Sequence, residues 1–231
     1  MMSQPLKIAI IGDYNFTYNS HQATNLSIDH SSQFLEVDVN YYWIKSNDAA
    51  QQRLNYFEQF DGIWIAPGPF QNAFFMNGVI RTLTRMQIPV LLTGESFVNF
   101  IEMIISANQL NPYSEKLISD NLVEGTHFEK IQVIPSSTTF IQLYENHSNI
   151  ELTSSRFSLY PQLILSLTNT FIDIEAFNQF EEPEIISLKN HPFFLACGFC
   201  PQISSTRELP HPIVYTFLKV VLALGNASKS A

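Results

Sequence analysis

A chain of 231 residues, 45% of them hydrophobic and 14% charged, with 19 Phe and 9 Tyr, carries ample apolar area for one continuous core and is neither disordered nor low in complexity. Twelve Lys and Arg against 21 Asp and Glu leave a net charge of -9, which repels nucleic-acid phosphates, and no basic cluster interrupts that trend. The two cysteines make no disulfide framework, the apolar run before Asp13 is too short for a signal sequence, and no stretch approaches the ~20 apolar residues of a membrane span; a cytoplasmic location is expected, with neither nucleic acid nor membrane as partner.

Residues 7–13 (KIAIIGD) form a short apolar run ending in turn residues and lead into a polar helical stretch from about Ser20 to Phe34, which together predict a parallel βα unit. The pattern repeats with a strand over 37–44, a helix over 47–59, a strand over 61–69, a helix over 71–86, and a strand over 89–94 that leads into a helix through Ile105. Four βα units in succession predict an α/β fold, a doubly wound and mostly parallel sheet with flanking helices. Ligands of such sheets sit beyond the carboxyl ends of the strands, where Asp13, Tyr14, Gly68 and Gly94 fall. From about residue 122 the pattern changes to period two, and 128–135, 138–145, 183–190 and 191–199 read as strands. The last segment, 212–225, has apolar residues at helical spacing and ends at Gly225, a residue suited to terminating a helix. With no internal repeat and no linker, residues 1–231 read as a single domain.

Three stretches, DGIWIAPGPF (61–70), IPVLLTGESF (88–97) and HPFFLACGFCPQ (191–202), resemble the three signature segments of class I glutamine amidotransferases. HPFF, with the later HP at 211–212, is similar to the glutaminase domain of CTP synthase, and KIAIIGDYN with His21 resembles a small set of free-standing proteins akin to the C-terminal region of that enzyme. The resemblance spans nearly the whole chain and implies a flavodoxin-like architecture. It also implies a site in which a cysteine thiolate on a tight strand-to-helix turn is activated by a histidine that a glutamate orients. Carried over residue by residue, Gly94 stands where the cysteine belongs, and Cys200 and Gln202 stand where the histidine and glutamate belong. The oxyanion segment reads Pro67, Gly68, Pro69, with Glu95 following the nucleophile position. Glycine has no nucleophile, a thiol is no imidazole base, an amide is no orienting carboxylate, and proline has no N–H to offer an oxyanion. The resemblance so read implies an amidotransferase-like protein without glutaminase activity and without a cofactor, one that binds a small amine- or carboxylate-bearing ligand or a protein partner.

Other placements stay open at this level. A two-residue slip makes Ser96 a serine nucleophile, with His21 near the correct sheet edge as its base; otherwise Ser96 is an ordinary residue of a helix N-terminus. His191 begins its strand, ~25–30 Å from the other end, and reads as structural. Cys197 and Cys200 match C-x-x-C, yet on a strand their Cα atoms lie ~10 Å apart on opposite faces, too far for a disulfide. Zinc needs two further ligands, and with neither a second Cys pair nor a closely spaced His pair no metal is expected. Cys200 is either a thiol exposed in the pocket, a second route to altered chemistry, or a packed cysteine. Asp13, Tyr14 and His21 are candidate ligand-binding residues, with a plain turn as the competing reading of Asp13 and its neighbours. Arg156 falls where CTP synthase carries a basic stretch, reduced here to one arginine.

Overall fold

The computed structural model describes residues 4–124 and 127–229. Its first half follows the βα alternation: β1 (Leu6–Ile11), α1 (Asn19–Leu35), β2 (Val39–Ile44), α2 (Ser46–Ala50), α3 (Leu54–Phe57), β3 (Gly62–Ile65), α4 (Ala73–Leu83), β4 (Val90–Thr93) and α5 (Ser96–Ala107). The helix expected over 47–59 is two short helices, because Arg53 is extended between them.

The second half contains β5 (Glu129–Pro135), α6 (Thr138–Tyr144), β6 (Ile150–Thr153), α7 (Pro161–Thr170), β7 (Ile172–Asn178), β8 (Pro183–Leu188), β9 (Phe194–Cys197), a single 3₁₀ turn (Pro201–Ile203) and α8 (Pro212–Lys229). The strand expected over 138–145 is helix α6. Ser137 caps it by accepting the Phe140 N–H, and Phe140 and Tyr144, four residues apart, bury one face; three apolar or aromatic residues at 140, 143 and 144 fit that face as readily as an alternation. β6, α7 and β7 were not expected. α8 continues through Gly225 to Lys229, so Gly225 does not end it.

The nine strands of the described residues lie in the order β2-β1-β3-β4-β9-β8-β7-β5-β6. β2, β1, β3, β4 and β9 pair in parallel, and β8, β7, β5 and β6 continue the sheet by antiparallel pairings, so only β8 and β5 run against the rest. The inner strands of the parallel half, β1, β3, β4 and β9, are buried on both faces, which is why they read as unbroken apolar runs, whereas the edge strand β2 is only partly buried. One core, with Ile63, Ile65, Leu92 and Ala196, packs under residues of α4, α5 and α7; the other, with Ile8, Trp64, Leu91 and Leu195, packs under α1, α6 and α8. No helix among the described residues is long and apolar enough to cross a membrane.

Candidate functional site

Two tight loops meet beyond the carboxyl ends of β3 and β4. After β3 the chain runs Ala66, Pro67, Gly68 and Pro69, with Gly68 at φ +89° and a cis Gly68–Pro69 peptide. After β4 it turns at Gly94, φ +61°, straight into α5, a left-handed conformation that glycine adopts without cost. The bend therefore lies at Gly94. Its N–H donates to the carbonyls of Cys197 (2.9 Å) and Phe199 (3.0 Å), which fastens the bend to the end of β9. A Cβ built on Gly94 would stand 2.8 Å from Pro67 Cβ and 3.1 Å from Pro67 O, so the space a side chain needs is already filled. The N–H of Glu95, the backbone donor next to the bend, is spent on Pro67 O at 2.9 Å.

Ser96 is fully buried in the first turn of α5, two residues past the bend. Its hydroxyl accepts the Thr93 N–H and donates to Thr93 O, both at 2.8 Å. This hydroxyl ties the helix to the end of β4 and faces no open space. His21, the base paired with Ser96 in the two-residue slip, has both ring nitrogens engaged. It is buried, Nδ1 accepts the Asn15 N–H (3.0 Å), and the remaining Nε2–H donates to Gly68 O (3.0 Å). Burial above all holds its pKa below the ordinary imidazole value, with opposing pulls from the Gly68 bond and Asp13. Ringed by Tyr14, Tyr18 and Trp43, it braces the Gly68 loop.

Cys200 is packed, not exposed in the pocket. It has no accessible surface, and burial pushes its thiol up to about 12, against hydrogen bonds to Ser154 that pull the other way. Cys197 is also buried, its thiol held well above the ordinary value by burial first and by Glu151 and Glu184 next. β9 ends early, at Cys197, yet both sulfurs are free. At pH 8 a thiol of this kind is thiolate in roughly one molecule in ten thousand. Iodoacetamide is therefore expected to leave both cysteines of the folded protein untouched and to label both after unfolding. Peptide mapping that finds carbamidomethyl-Cys200 in native protein would restore a chemical role to that thiol. Gln202, in the 3₁₀ turn, is 2% exposed, and neither of its amide atoms has a hydrogen-bond partner.

Asp13 holds the framework together: Oδ2 accepts from the Ser46 hydroxyl (2.7 Å) and the Gln71 N–H (3.0 Å), and Oδ1 from the Ser46 N–H (3.2 Å). These bonds take three of its about four acceptor sites and leave it little for a ligand. Tyr14 is 44% exposed and packs edge-on against Trp43. Arg156 lies over the Phe180 ring (4.7 Å) and 3.7 Å from Glu182.

A cavity of about 490 Å³ opens over the two loops. Thr17–Ser20 form one wall, Pro67–Pro69 and Glu95 another, and Asn121, Phe128, Ser154 and Ser155 the third. Of the residues singled out from sequence, Gly68, Pro69 and Glu95 line it, while Asp13, Tyr14, His21, Gly94, Ser96, Cys200 and Gln202 do not. Its third wall comes from segments with no motif, and only the tertiary fold brings them to this edge. Burial, and then the neighbouring Glu102, raise the Glu95 carboxyl above its ordinary pKa. Among the described residues no Lys, Arg or His lines the cavity, so its one carboxyl has no cationic competitor there.

No family model matches the chain. Over 249 aligned residues it is 26% identical to CTP synthase of Sulfolobus acidocaldarius, covering 96% of this chain and 46% of that enzyme. The chain thus spans about half the length of the curated relatives it matches. Among solved structures, the glutaminase domain of Trypanosoma brucei CTP synthase with bound acivicin superposes with a TM-score of 0.77 at 16% identity, covering 94% of each chain. A GMP synthase-type protein of Thermoplasma acidophilum superposes at 0.60 and 11% identity, covering 98% of this chain and 99% of the other.

Proposed function

We propose that this class I glutamine amidotransferase-like chain, similar to the glutaminase domain of CTP synthase, is a non-hydrolysing domain that binds a small amine-bearing ligand in the cavity over its two strand-end loops. One observation carries the reading: the bend at the end of β4 is Gly94, and Pro67 fills the space where a nucleophile's side chain would have to stand. Other observations support it. Cys200 and Gln202 are buried and supply neither imidazole nor carboxylate. Pro69 has no N–H, and that of Glu95 is already bonded, so an oxyanion would meet neither donor. Losing one such donor costs roughly 10²–10³ in rate, and losing the nucleophile and base removes the covalent route itself.

The lining favours an amine over a carboxylate. Glu95 attracts an ammonium group and repels a carboxylate, and the hydroxyl and amide side chains of Thr17, Asn19, Asn121, Ser154 and Ser155 add neutral hydrogen-bonding partners. Purified protein is expected to release no ammonia from L-glutamine. In equilibrium dialysis the α-amide of glutamine, which keeps the ammonium and lacks the carboxylate, is expected to bind at least as well as glutamine itself, and Glu95→Gln to weaken it by roughly 10-fold. Glutamine turnover lost on Ser96→Ala would refute the non-hydrolysing reading, and stronger binding of glutamine than of its α-amide would refute the choice of ligand.

A further inference from the structure

Away from every recognised motif segment of the first half, three side chains converge at β6: His147 in the turn before it, Glu151 on it, and His211 just before α8. One donor atom from each lies within 4.8 Å of the others. Glu151 and His211 are wholly buried, and the His147 side chain is 8% exposed. His211 Nε2 is 2.8 Å from Glu151 Oε1, and His147 Nε2 is 3.8 Å from the same oxygen. Neither ring nitrogen of His147 has a hydrogen-bond partner. A buried imidazole with both nitrogens unpartnered, beside a buried carboxyl group, is costly unless something completes it.

We propose that His147, Glu151 and His211 form a buried site for a divalent transition metal, with zinc as the preferred ion. Two imidazole nitrogens and one carboxylate oxygen are a donor set that zinc takes in four-coordinate sites, and the nitrogens turn away the harder magnesium and calcium. The groups that orient the ligands are in place. Tyr144 Oη donates to Glu151 Oε1 at 3.3 Å, and Ser204 Oγ to Glu151 Oε2 at 3.2 Å, which fixes the carboxylate; the Tyr144 oxygen or a water completes the fourth position.

One bond opposes the ion. His211 Nδ1 accepts the Ile213 N–H at 3.2 Å, capping α8, so its Nε2 carries the proton donated to Glu151. Metal on Nε2 requires the other tautomer and gives up this long cap. Losing a helix cap costs no more than roughly 30-fold in affinity, whereas structural zinc sites bind many decades more tightly than that. The ion would tie β6 to the start of α8. Ser154 and Ser155 of the ligand cavity directly follow β6, so the metal holds one wall of that cavity in place. Burial of all three ligands makes it a structural site, not a catalytic one.

The full-length protein, stripped with a chelator and titrated with Co²⁺ and with Zn²⁺, is the test. One cobalt per chain with the visible bands of a four-coordinate ion, displaced by zinc, and a rise in Tm with zinc are expected. His147→Gln, which leaves the Glu151–His211 pair intact, is expected to weaken binding at least roughly 100-fold, and the control His191→Gln to leave it unchanged. A His147→Gln protein that binds zinc as tightly as the wild type, or a wild type that takes up no stoichiometric cobalt, overturns the site. The readout is independent of the ligand cavity, so it stands or falls apart from the proposed function.

Discussion

Gly94→Cys, which puts a thiol back on the bend, is expected to release no ammonia from glutamine and to lower stability by about 2–5 kcal/mol. A residue other than glycine at φ +61° costs about 1–2 kcal/mol, and forcing a side chain against Pro67, 2.8 Å from the new Cβ, adds the cost of overpacking, about 1–3 kcal/mol. The new sulfur would also find no base, since Cys200 is buried with its thiol pushed up to about 12, and no free oxyanion donor at Pro69 or Glu95. Urea unfolding monitored by circular dichroism gives the first number, and a coupled ammonia assay the second. A Gly94→Cys protein as stable as the wild type would mean that the loop after β3 yields. Measurable turnover would mean that the site retains more of the machinery than its side chains suggest.

The second large effect is a pH dependence of stability set by Glu184. This β8 carboxyl is 5% exposed; Oε1 accepts from Asn178 (3.0 Å) and Oε2 has no partner. Burial raises its pKa to about 8, with Asn178 and Arg156 opposing and Glu182 adding. The unfolded chain ionises this group near its ordinary value of 4.5, while the folded protein keeps it protonated until about 8. Between those two values the unfolded state binds fewer protons, so stability falls as pH rises across that window and levels off above it. The total loss is on the order of 5 kcal/mol. Glu184→Gln, which keeps the acceptor for Asn178 and cannot ionise, is expected to remove that slope and to exceed the wild type most above about pH 8, where the difference levels off. The slope is the readout, because a constant offset from the new amide does not depend on pH. Parallel stability curves for the two proteins from about pH 5 to 9 would show that Glu184 ionises normally in the fold.

The parallel half of the sheet was legible because its inner strands are buried on both faces, so LKIAII, GIWI and VLLT appear as apolar blocks between turn residues. The positions of Gly94, Cys200 and Gln202 followed from the resemblance, and the structure puts Gly94 at the bend and joins that bend to the end of β9. The antiparallel half was harder to read. TTFIQLYE carries both a two-residue and a four-residue spacing of apolar side chains, and Ser137 capping with Phe140 and Tyr144 packing selects the helix. β6, α7 and β7 carry polar or mixed patterns, since edge and antiparallel strands bury only one face.

What the chain's residues determined unaided was the βα alternation of the first half, since it depends on local pattern; the chemistry absent at Gly94, Cys200 and Gln202 is what the resemblance implies. Tertiary structure alone decided which surviving side chains are reachable. Ser96 and Cys200 are nucleophiles by composition, but one is consumed by a helix start and the other is enclosed by β6, because whether a group reacts depends on solvent and neighbours brought from far along the chain. The same holds for His147, Glu151 and His211: the last two are 60 residues apart, a distance that no spacing rule spans and that the fold closes to 2.8 Å.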